Sequence, residues 1–303
     1  MMENPTTSSG QKQPDTLTAG NRYISCTLQL DRLSFVGNLR NKLVSKNDSN
    51  REVQAFGRFE NDLGLSERKF AQYPYRYQWK HVLGFTVQYS DDKNTSDIRV
   101  DCNPNLFNTP ALLTAFHAAI DSILENLRHV KITRVDLAID FPFDLSTYYM
   151  ATDQPKSSSN YLSASKCLET QYLGGRGSAE QFRVYDKQKQ SGLDNVKWRV
   201  EAQYRFRATS ELLNLVPFSG LQISKPVTTG TTPVDAIFLH ALQTKPELFG
   251  ALDKRTRAKY RKMFREDKTD DIGQVCRDIA LRDMGNLISM ISAVIDVEKN
   301  NAN

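Results

Sequence analysis

The sequence predicts an α+β protein, in which an antiparallel-dominated sheet with packed helices forms the main domain and a helical C-terminal domain follows. Two observations predict this class. The first two thirds of the chain contain the segments in which apolar and polar residues alternate, as in strands, whereas after Pro233 the apolar residues recur at helical spacing. Hydrophobic residues make up 39% of the 303 residues, which is enough to bury a core.

The order of elements follows from local patterns. Residues 1–20 are polar and rich in Ser, Thr, Pro and Gly, and are predicted to be a disordered tail. Strands are predicted from Tyr23 onward, around a turn near His81, and at 98–102 after a turn at 91–94. A helix is predicted from 108, where Asn-Thr-Pro supplies a cap and a first turn.

Two further segments are predicted after residue 217. Residues 218–232 contain two glycines, one proline and four threonines and are followed by Pro233, so they are predicted to be a linker. Residues 233–303 are predicted to form a helical, basic domain.

Three predicted strands, at 132–140, 181–187 and 198–206, each have one apolar and one polar face, because alternate side chains of a strand share a face. The polar faces carry, in chain order, Arg134, Asp136 and Asp140, then Gln181, Arg183, Tyr185 and Lys187, then Arg199, Glu201, Gln203 and Arg205. A single wet face is ordinary in an antiparallel sheet. Three such faces side by side would gather three carboxylates, a tyrosine and several cations.

Such a cluster has a definite chemistry. Carboxylates without soft ligands suit Mg²⁺ or Mn²⁺. Arg183 and Lys187 lie two residues on either side of Tyr185, roughly 7 Å away, and are expected to lower its pKa or bind phosphates. A tyrosine phenolate that attacks a phosphodiester leaves a covalent phosphotyrosyl end.

The segments ITRVDLAID, QYLGGRGSAEQFRVYDKQKQ and KWRVEAQYR occur in this order. Together they resemble the replication initiation factor family, the initiators of rolling-circle plasmids, to which relaxases of conjugative elements and replication proteins of filamentous phages are similar. The resemblance covers about residues 130–207. It departs from the family where Lys189 and Gln190 stand in place of a frequent glutamate.

The resemblance implies a nicking domain at 21–217 that cuts one strand of origin DNA and keeps the 5′ phosphate on a tyrosine. It implies Tyr185 as the nucleophile, Asp136, Asp140 and Glu201 as metal-binding or acid–base carboxylates for Mg²⁺ or Mn²⁺, and Lys187, Arg183 and Arg134 as catalytic cations. No nucleotide-binding fingerprint is present, so a host helicase is expected to unwind the duplex.

Three alternatives remain open from the sequence. They are a non-catalytic DNA-binding replication or copy-control protein, a relaxase of a conjugative element, and a small-molecule metal hydrolase that uses the three carboxylates. The last alternative leaves the basic residues unexplained.

Seven cations against Asp253 alone make 252–265 a dense basic segment, predicted to contact the DNA backbone, with a solvated surface helix or a dimer surface as alternatives. The predicted DNA contacts are Lys254, Arg255, Arg257, Lys259, Arg261, Lys262 and Arg265 in this segment, and Arg176, Arg199 and Arg205 in the sheet domain. Scattered cysteines and the lack of an apolar leader or of a run of about 18 apolar residues predict a cytoplasmic protein without membrane contact.

Overall fold

The computed structural model describes most of the chain from residue 23 onward. The described residues are 23, 25–40, 60, 63–71, 74–90, 96–154, 156–164, 168–224, 232–244, 246–266 and 271–295. The predicted tail at 1–20 and the predicted turn at 91–94 therefore lie outside the described residues.

Twelve strands occur in the described part of the chain. They are β1 (Leu28–Gly37), β2 (Leu65–Phe70), β3 (Tyr77–His81), β4 (Thr86–Tyr89), β5 (Ile98–Cys102), β6 (Lys131–Phe141), β7 (Tyr149–Thr152), β8 (Ser158–Leu162), β9 (Leu168–Leu173), β10 (Glu180–Asp186), β11 (Trp198–Arg205) and β12 (Leu221–Ser224). Ten of them form one sheet in the order β2-β3-β4-β5-β1-β6-β11-β10-β9-β8, and β7 pairs with β12. Every pairing is antiparallel, which confirms the predicted kind of sheet.

Six α-helices accompany the strands within the same described ranges. They are α1 (Pro110–Ile123), α2 (Lys187–Ser191), α3 (Ser210–Leu213), α4 (Pro233–Thr244), α5 (Lys254–Glu266) and α6 (Ile272–Val294). The α+β class is confirmed. Thr109 caps α1 as predicted, because its side chain accepts a hydrogen bond from the Leu112 amide. None of these helices combines the length and apolarity needed to cross a membrane.

The apolar face of the sheet is covered by α1 and α6. Phe116 of α1 is fully buried, stacks on Phe107 at a ring-centroid distance of 4.2 Å, and meets Phe85 edge-on. Cys276 and Leu287 of α6 are buried in the same core. This packing leaves the opposite, polar face of the central strands available for a site.

The predicted linker does not hold for residues 218–224. Phe218 and Leu221 are fully buried, and the strand β12 lies within this segment. The Phe218 amide donates to the Tyr204 hydroxyl at 2.7 Å, which ties the segment to β11. The rest of the predicted linker, 225–231, lies outside the described residues.

The C-terminal helices do not all belong to a separate unit either. Helix α6 shares the core of the sheet, whereas α4 and α5 form a small cluster of their own. That cluster consists of Leu239, Leu242, Phe249, Tyr260 and Phe264. A boundary at residue 233 therefore does not separate one core from another.

The first turn of α6 lies close against β12. Asp271 caps the helix, and its Oδ1 accepts hydrogen bonds from the amides of Gly273 and Ile223. A Cβ atom at Gly273 would stand 2.3 Å from the carbonyl oxygen of Leu221, whereas one at Gly285 in the same helix would meet nothing within 4 Å. Of these two glycines of α6, only Gly273 is required by close packing.

We expect Gly273→Ala to lower the free energy of unfolding by about 1–3 kcal/mol, because the added methyl group forces α6 away from β12. The matched variant Gly285→Ala should raise it by up to about 1 kcal/mol, through helix propensity alone. Urea unfolding of both variants measures the difference. Equal stability of the two variants would contradict the close contact between α6 and β12.

Candidate active site

The three polar stripes predicted from the sequence form one continuous surface. Strands β6, β11 and β10 are neighbours, and their register places Asp140 opposite Arg199 and Arg199 opposite Tyr185. Two residues further along β11, Glu201 lies opposite Arg183 of β10. Directly opposed residues of antiparallel strands share a face, so these side chains meet on the side away from α1 and α6.

A cleft of about 1010 Å³ opens on this surface. Six arginines line it: Arg32, Arg99, Arg134, Arg176, Arg183 and Arg205. Four carboxylates line it as well: Asp31, Asp101, Asp136 and Glu201. Cations therefore outnumber carboxylates along the cleft, as a polyanionic ligand requires.

Tyr185 lies beneath the guanidinium of Arg183, which lines the cleft, and does not line the cleft itself. Its exposed fraction is only 3%, and the Arg183 Cζ atom stands 4.1 Å from the ring centroid. The Tyr185 hydroxyl donates to Glu201 Oε2 across 3.3 Å. The nucleophile predicted from the sequence thus has one carboxylate as its hydrogen-bond partner.

The expected lowering of the Tyr185 pKa does not occur. Burial, and next the negative charge of Glu201, raise the pKa of Tyr185 well above its ordinary value, and the cation of Arg183 only partly offsets them. Lys187 does not continue the polar stripe, because β10 ends at Asp186, which caps α2. The Lys187 ammonium donates to Gln190 and stands 5.9 Å from the Tyr185 ring centroid.

Each of the three predicted metal ligands is paired with an arginine. The pairs are Arg134–Asp136 (2.5 Å), Arg183–Glu201 (2.5 Å) and Arg199–Asp140 (2.6 Å). Within the described ranges, no three His, Cys, Asp or Glu side chains converge as a metal site would require. The three carboxylates as placed therefore do not fit Mg²⁺ or Mn²⁺, since they do not converge and each already accepts from a guanidinium.

The carboxylates differ in their readiness to accept a proton. Burial raises the pKa of Glu201 above its ordinary value, although Arg183 opposes this shift. Burial alone would also raise the pKa of Asp140, but the hydrogen bonds and charge of Arg199 outweigh it and hold that pKa low. Glu201 is therefore the better proton acceptor, and it is the one bonded to Tyr185.

Arg199 lies below the surface of the cleft. It is 5% exposed and donates to Asp140, to Asp31 at 2.8 Å and to Gln29 at 3.1 Å. These contacts join β11 to β6 and β1. For Arg199, the geometry thus favours a structural ion pair over the predicted DNA contact. The other two residues of the sheet domain that were predicted to contact DNA, Arg176 and Arg205, line the cleft.

Strands β1 and β5 contribute site residues that sequence reasoning missed. Asp101 accepts from Ser34, pairs with Arg32 at 3.0 Å and pairs with Arg99 at 3.2 Å. The alternation of Arg99 and Asp101 in the predicted strand 98–102 was a signal for the polar face of β5. No comparable signal marked Asp31, because the register of β1 shifts between Leu30 and Arg32.

Comparison with known proteins bears on this site. Three relatives from Staphylococcus aureus carry the name replication initiation protein. One is 28% identical over 253 residues, which is 81% of this chain and 77% of the relative. The second is 28% identical over 263 residues, with 83% and 81% covered, and the third is 27% identical over 258 residues, with 82% and 79% covered. The chain is similar to these replication initiation proteins over most of its length. The predicted resemblance is thereby confirmed.

No family model matches the sequence. A solved structure of a rolling circle replication initiator protein from Geobacillus stearothermophilus has a TM-score of 0.40 and 16% identity to this chain, and the match covers 69% of this chain and 90% of that one.

The predicted basic helix is α5, and it has a buried side. Tyr260 and Phe264 are buried, so cations do not surround the helix as the sequence pattern indicated. Lys259 donates to Asp235 of α4 at 2.6 Å, and this bond and one from Tyr260 hold the pKa of Asp235 at about 2. Arg257 donates to the carbonyls of Gly250 and Leu252. Lys259 and Arg257 therefore hold α5 in place.

The outward cations of α5 are a different set. Lys254, Arg255, Arg261 and Lys262 are exposed, and Arg261 stands 5.8 Å from the Phe249 ring centroid. The side chain of the seventh predicted cation, Arg265, lies outside the described part of the structure. Lys259 is exposed as well but is bonded to Asp235, so a DNA contact by α5 depends on the other four cations.

We expect replacement of Lys254, Arg255, Arg261 and Lys262 by Ala to flatten the log–log salt slope of duplex binding by about 3.6, since each phosphate contact contributes about 0.9. The matched double variant Arg257→Ala, Lys259→Ala should instead lower the melting temperature, because it removes the bonds that hold α5. Salt-dependent fluorescence anisotropy and thermal unfolding measure the two effects. An unchanged slope in the quadruple variant would make α5 a solvated or dimer surface.

Proposed function

We propose that the chain initiates rolling-circle DNA replication by nicking one strand of its origin through Tyr185 and holding the 5′ phosphate covalently. One observation carries the proposal: the Tyr185 hydroxyl is hydrogen-bonded to Glu201, and Glu201 lines a cleft rich in arginines. Homology to replication initiation proteins supports the same function.

The proposed step transfers a phosphodiester from the DNA to the protein. The Tyr185 oxygen attacks the phosphorus while its proton passes to Glu201 Oε2. The bond between phosphorus and the 3′ oxygen breaks, and that oxygen takes a proton from solvent. The products are a 5′-phosphotyrosine and a free 3′ hydroxyl. The phosphate ester bond is conserved for later rejoining.

Arg183 controls access to this pair. It covers the Tyr185 ring and donates to Glu201 through Nη2. A DNA phosphate that enters the cleft competes with Glu201 for this guanidinium, because arginine binds phosphate and carboxylate with the same donor geometry. Removal of Arg183 from Glu201 exposes Tyr185 and makes Glu201 a stronger base at the same moment.

A requirement for Mg²⁺ or Mn²⁺ stays a prediction from the resemblance. Because Asp136, Asp140 and Glu201 are each paired with an arginine, the proposed step uses only the side chains of the chain. A host helicase and a homodimer likewise stay predictions.

The alternative that a specific observation favours is a DNA-binding replication or copy-control protein that does not nick. The burial of Tyr185 favours it, since a nucleophile must reach phosphorus. A relaxase of a conjugative element would use the same step, and the genes beside this one distinguish it from a plasmid or phage initiator.

We expect Tyr185→Phe to abolish nicking and the covalent 5′ adduct, while the affinity for origin DNA changes less than about twofold. The change removes one hydroxyl and leaves the ring beneath Arg183. Denaturing gels of labelled origin oligonucleotides with the full chain measure the adduct.

The matched control is Tyr172→Phe, because Tyr172 lies opposite Arg183 on β9 and lines the cleft. This variant should keep the adduct. An adduct that survives in Tyr185→Phe and disappears in Tyr172→Phe would move the nucleophile to Tyr172. DNA binding without any adduct in the wild-type chain would favour the non-catalytic alternative.

We expect Glu201→Gln to slow nicking by about 10²–10⁴-fold, the usual contribution of a general base. The pKa of Glu201 is raised, so its base form is lost as the pH falls through that raised value, and wild-type nicking should fall with it. The variant should lose this acidic limb of the pH–rate profile. Rescue of Glu201→Gln by excess Mn²⁺ would instead identify Glu201 as a metal ligand.

A further inference from the structure

Arg205, at the end of β11, differs from the other arginines of the polar face. It lines the cleft, and its Nη2 donates to the backbone carbonyl of Arg176 at 3.0 Å. Its buried Nε has no hydrogen-bond partner. In the part of the chain that the structure describes, no carboxylate pairs with Arg205, whereas Arg134, Arg183 and Arg199 each have one.

Gln203 is a second donor without an acceptor, two residues earlier on the same face of β11. The side chain lines the cleft, is 7% exposed, and has no partner for its buried Nε2. Its neighbours across the strands are Asp136 and Gln181. Asp136 is already engaged by Arg134 through both carboxylate oxygens. Buried donors usually have acceptors, so this pair of groups indicates a ligand.

The charges around these donors select an anion. Arg134 lies directly opposite Arg205 on β6. Burial, followed by the neighbouring cations Arg134, Arg99 and Arg32, lowers the pKa of Arg205. A guanidinium crowded by like charges is stabilised by a negative group with several acceptor oxygens, and a phosphate supplies both.

We propose that Arg205 and Gln203, with Arg134 beside them, form a phosphate subsite that binds the DNA strand away from the nick. The inference rests on the proposed function, because it takes DNA as the source of the phosphate. Arg205 is six residues along β11 from Arg199, which lies opposite Tyr185. The subsite is therefore about 20 Å from the reacting tyrosine and binds a nucleotide several positions away from the cut.

The test is a scan in which each phosphate of a single-stranded origin oligonucleotide is replaced, one at a time, by a neutral methylphosphonate. Binding is measured by anisotropy with the full chain carrying Tyr185→Phe, so that no covalent product forms. The Tyr185→Phe protein should bind about tenfold more weakly, or weaker still, when one particular phosphate distant from the nick is replaced. With Arg205→Gln added, the loss at that phosphate should fall below about twofold.

The matched control is Arg207→Gln, which removes the same charge from an exposed residue that does not line the cleft. It should leave the scan unchanged. Arg205→Gln should also reduce the salt slope by about 0.7, the contribution of one phosphate in single-stranded DNA. If Arg205→Gln fails to fold, as judged by its thermal transition, Gln203→Met provides the same scan with the neighbouring donor removed.

Two outcomes would overturn the subsite. In the first, every phosphate whose replacement weakens binding by the Tyr185→Phe protein also weakens binding by the protein that carries Arg205→Gln as well. The other is a flat scan together with stabilisation of the wild type, but not of Arg205→Gln, by inorganic phosphate at constant ionic strength, which assigns the site to a free anion. Both readouts are binding measurements, so a wild-type chain that fails to nick would contradict the proposed function without deciding the subsite.

Discussion

The ion pairs between arginines and carboxylates across the central strands are the interaction on which the polar face depends. Asp136 and Glu201 are almost completely buried, and burial of an unpaired carboxylate is strongly unfavourable. Asp136 is paired with Arg134 of the same strand, and Glu201 is paired with Arg183 of the neighbouring strand. Loss of one partner from such a pair costs about 3–5 kcal/mol. The arrangement of these pairs also determines which arginines keep a donor available for a ligand.

Under the proposed function, the same pairing would keep Tyr185 and Glu201 inactive in the absence of DNA. Tyr185 is neutral because burial and Glu201 favour its protonated form, and Glu201 is a weak base while Arg183 donates to it. Under the proposed function, the nucleophile would form only when a phosphate displaces Arg183, so cutting would be confined to bound DNA. Affinity for DNA and activation of the tyrosine then draw on the same guanidinium.

Much of the candidate site could be predicted because side chains alternate in strands. The residues Arg183, Tyr185 and Glu201 share a face in any antiparallel pairing of β10 and β11 that keeps the apolar face buried. The bonding of each carboxylate to an arginine could not be predicted from alternation alone, since it depends on side-chain orientation and, for Glu201 and Asp140, on the register between neighbouring strands. Composition likewise misplaced the linker, because turn-forming residues surround Phe218 and conceal that it is buried.

The contact between β12 and the start of α6 has a consequence for how this fold can change. Asp271 accepts a hydrogen bond from the Ile223 amide, so the chain leaves the main core and returns to it at adjacent points. Helices α4 and α5, with their own small apolar cluster, thus form an insertion rather than a terminal appendage. Insertions with adjoining ends can be exchanged or shortened without disturbing the host core. If α5 contacts DNA as predicted, replacement of this internal segment would change DNA binding without loss of the main core, whereas truncation after β12 would remove α6 from that core.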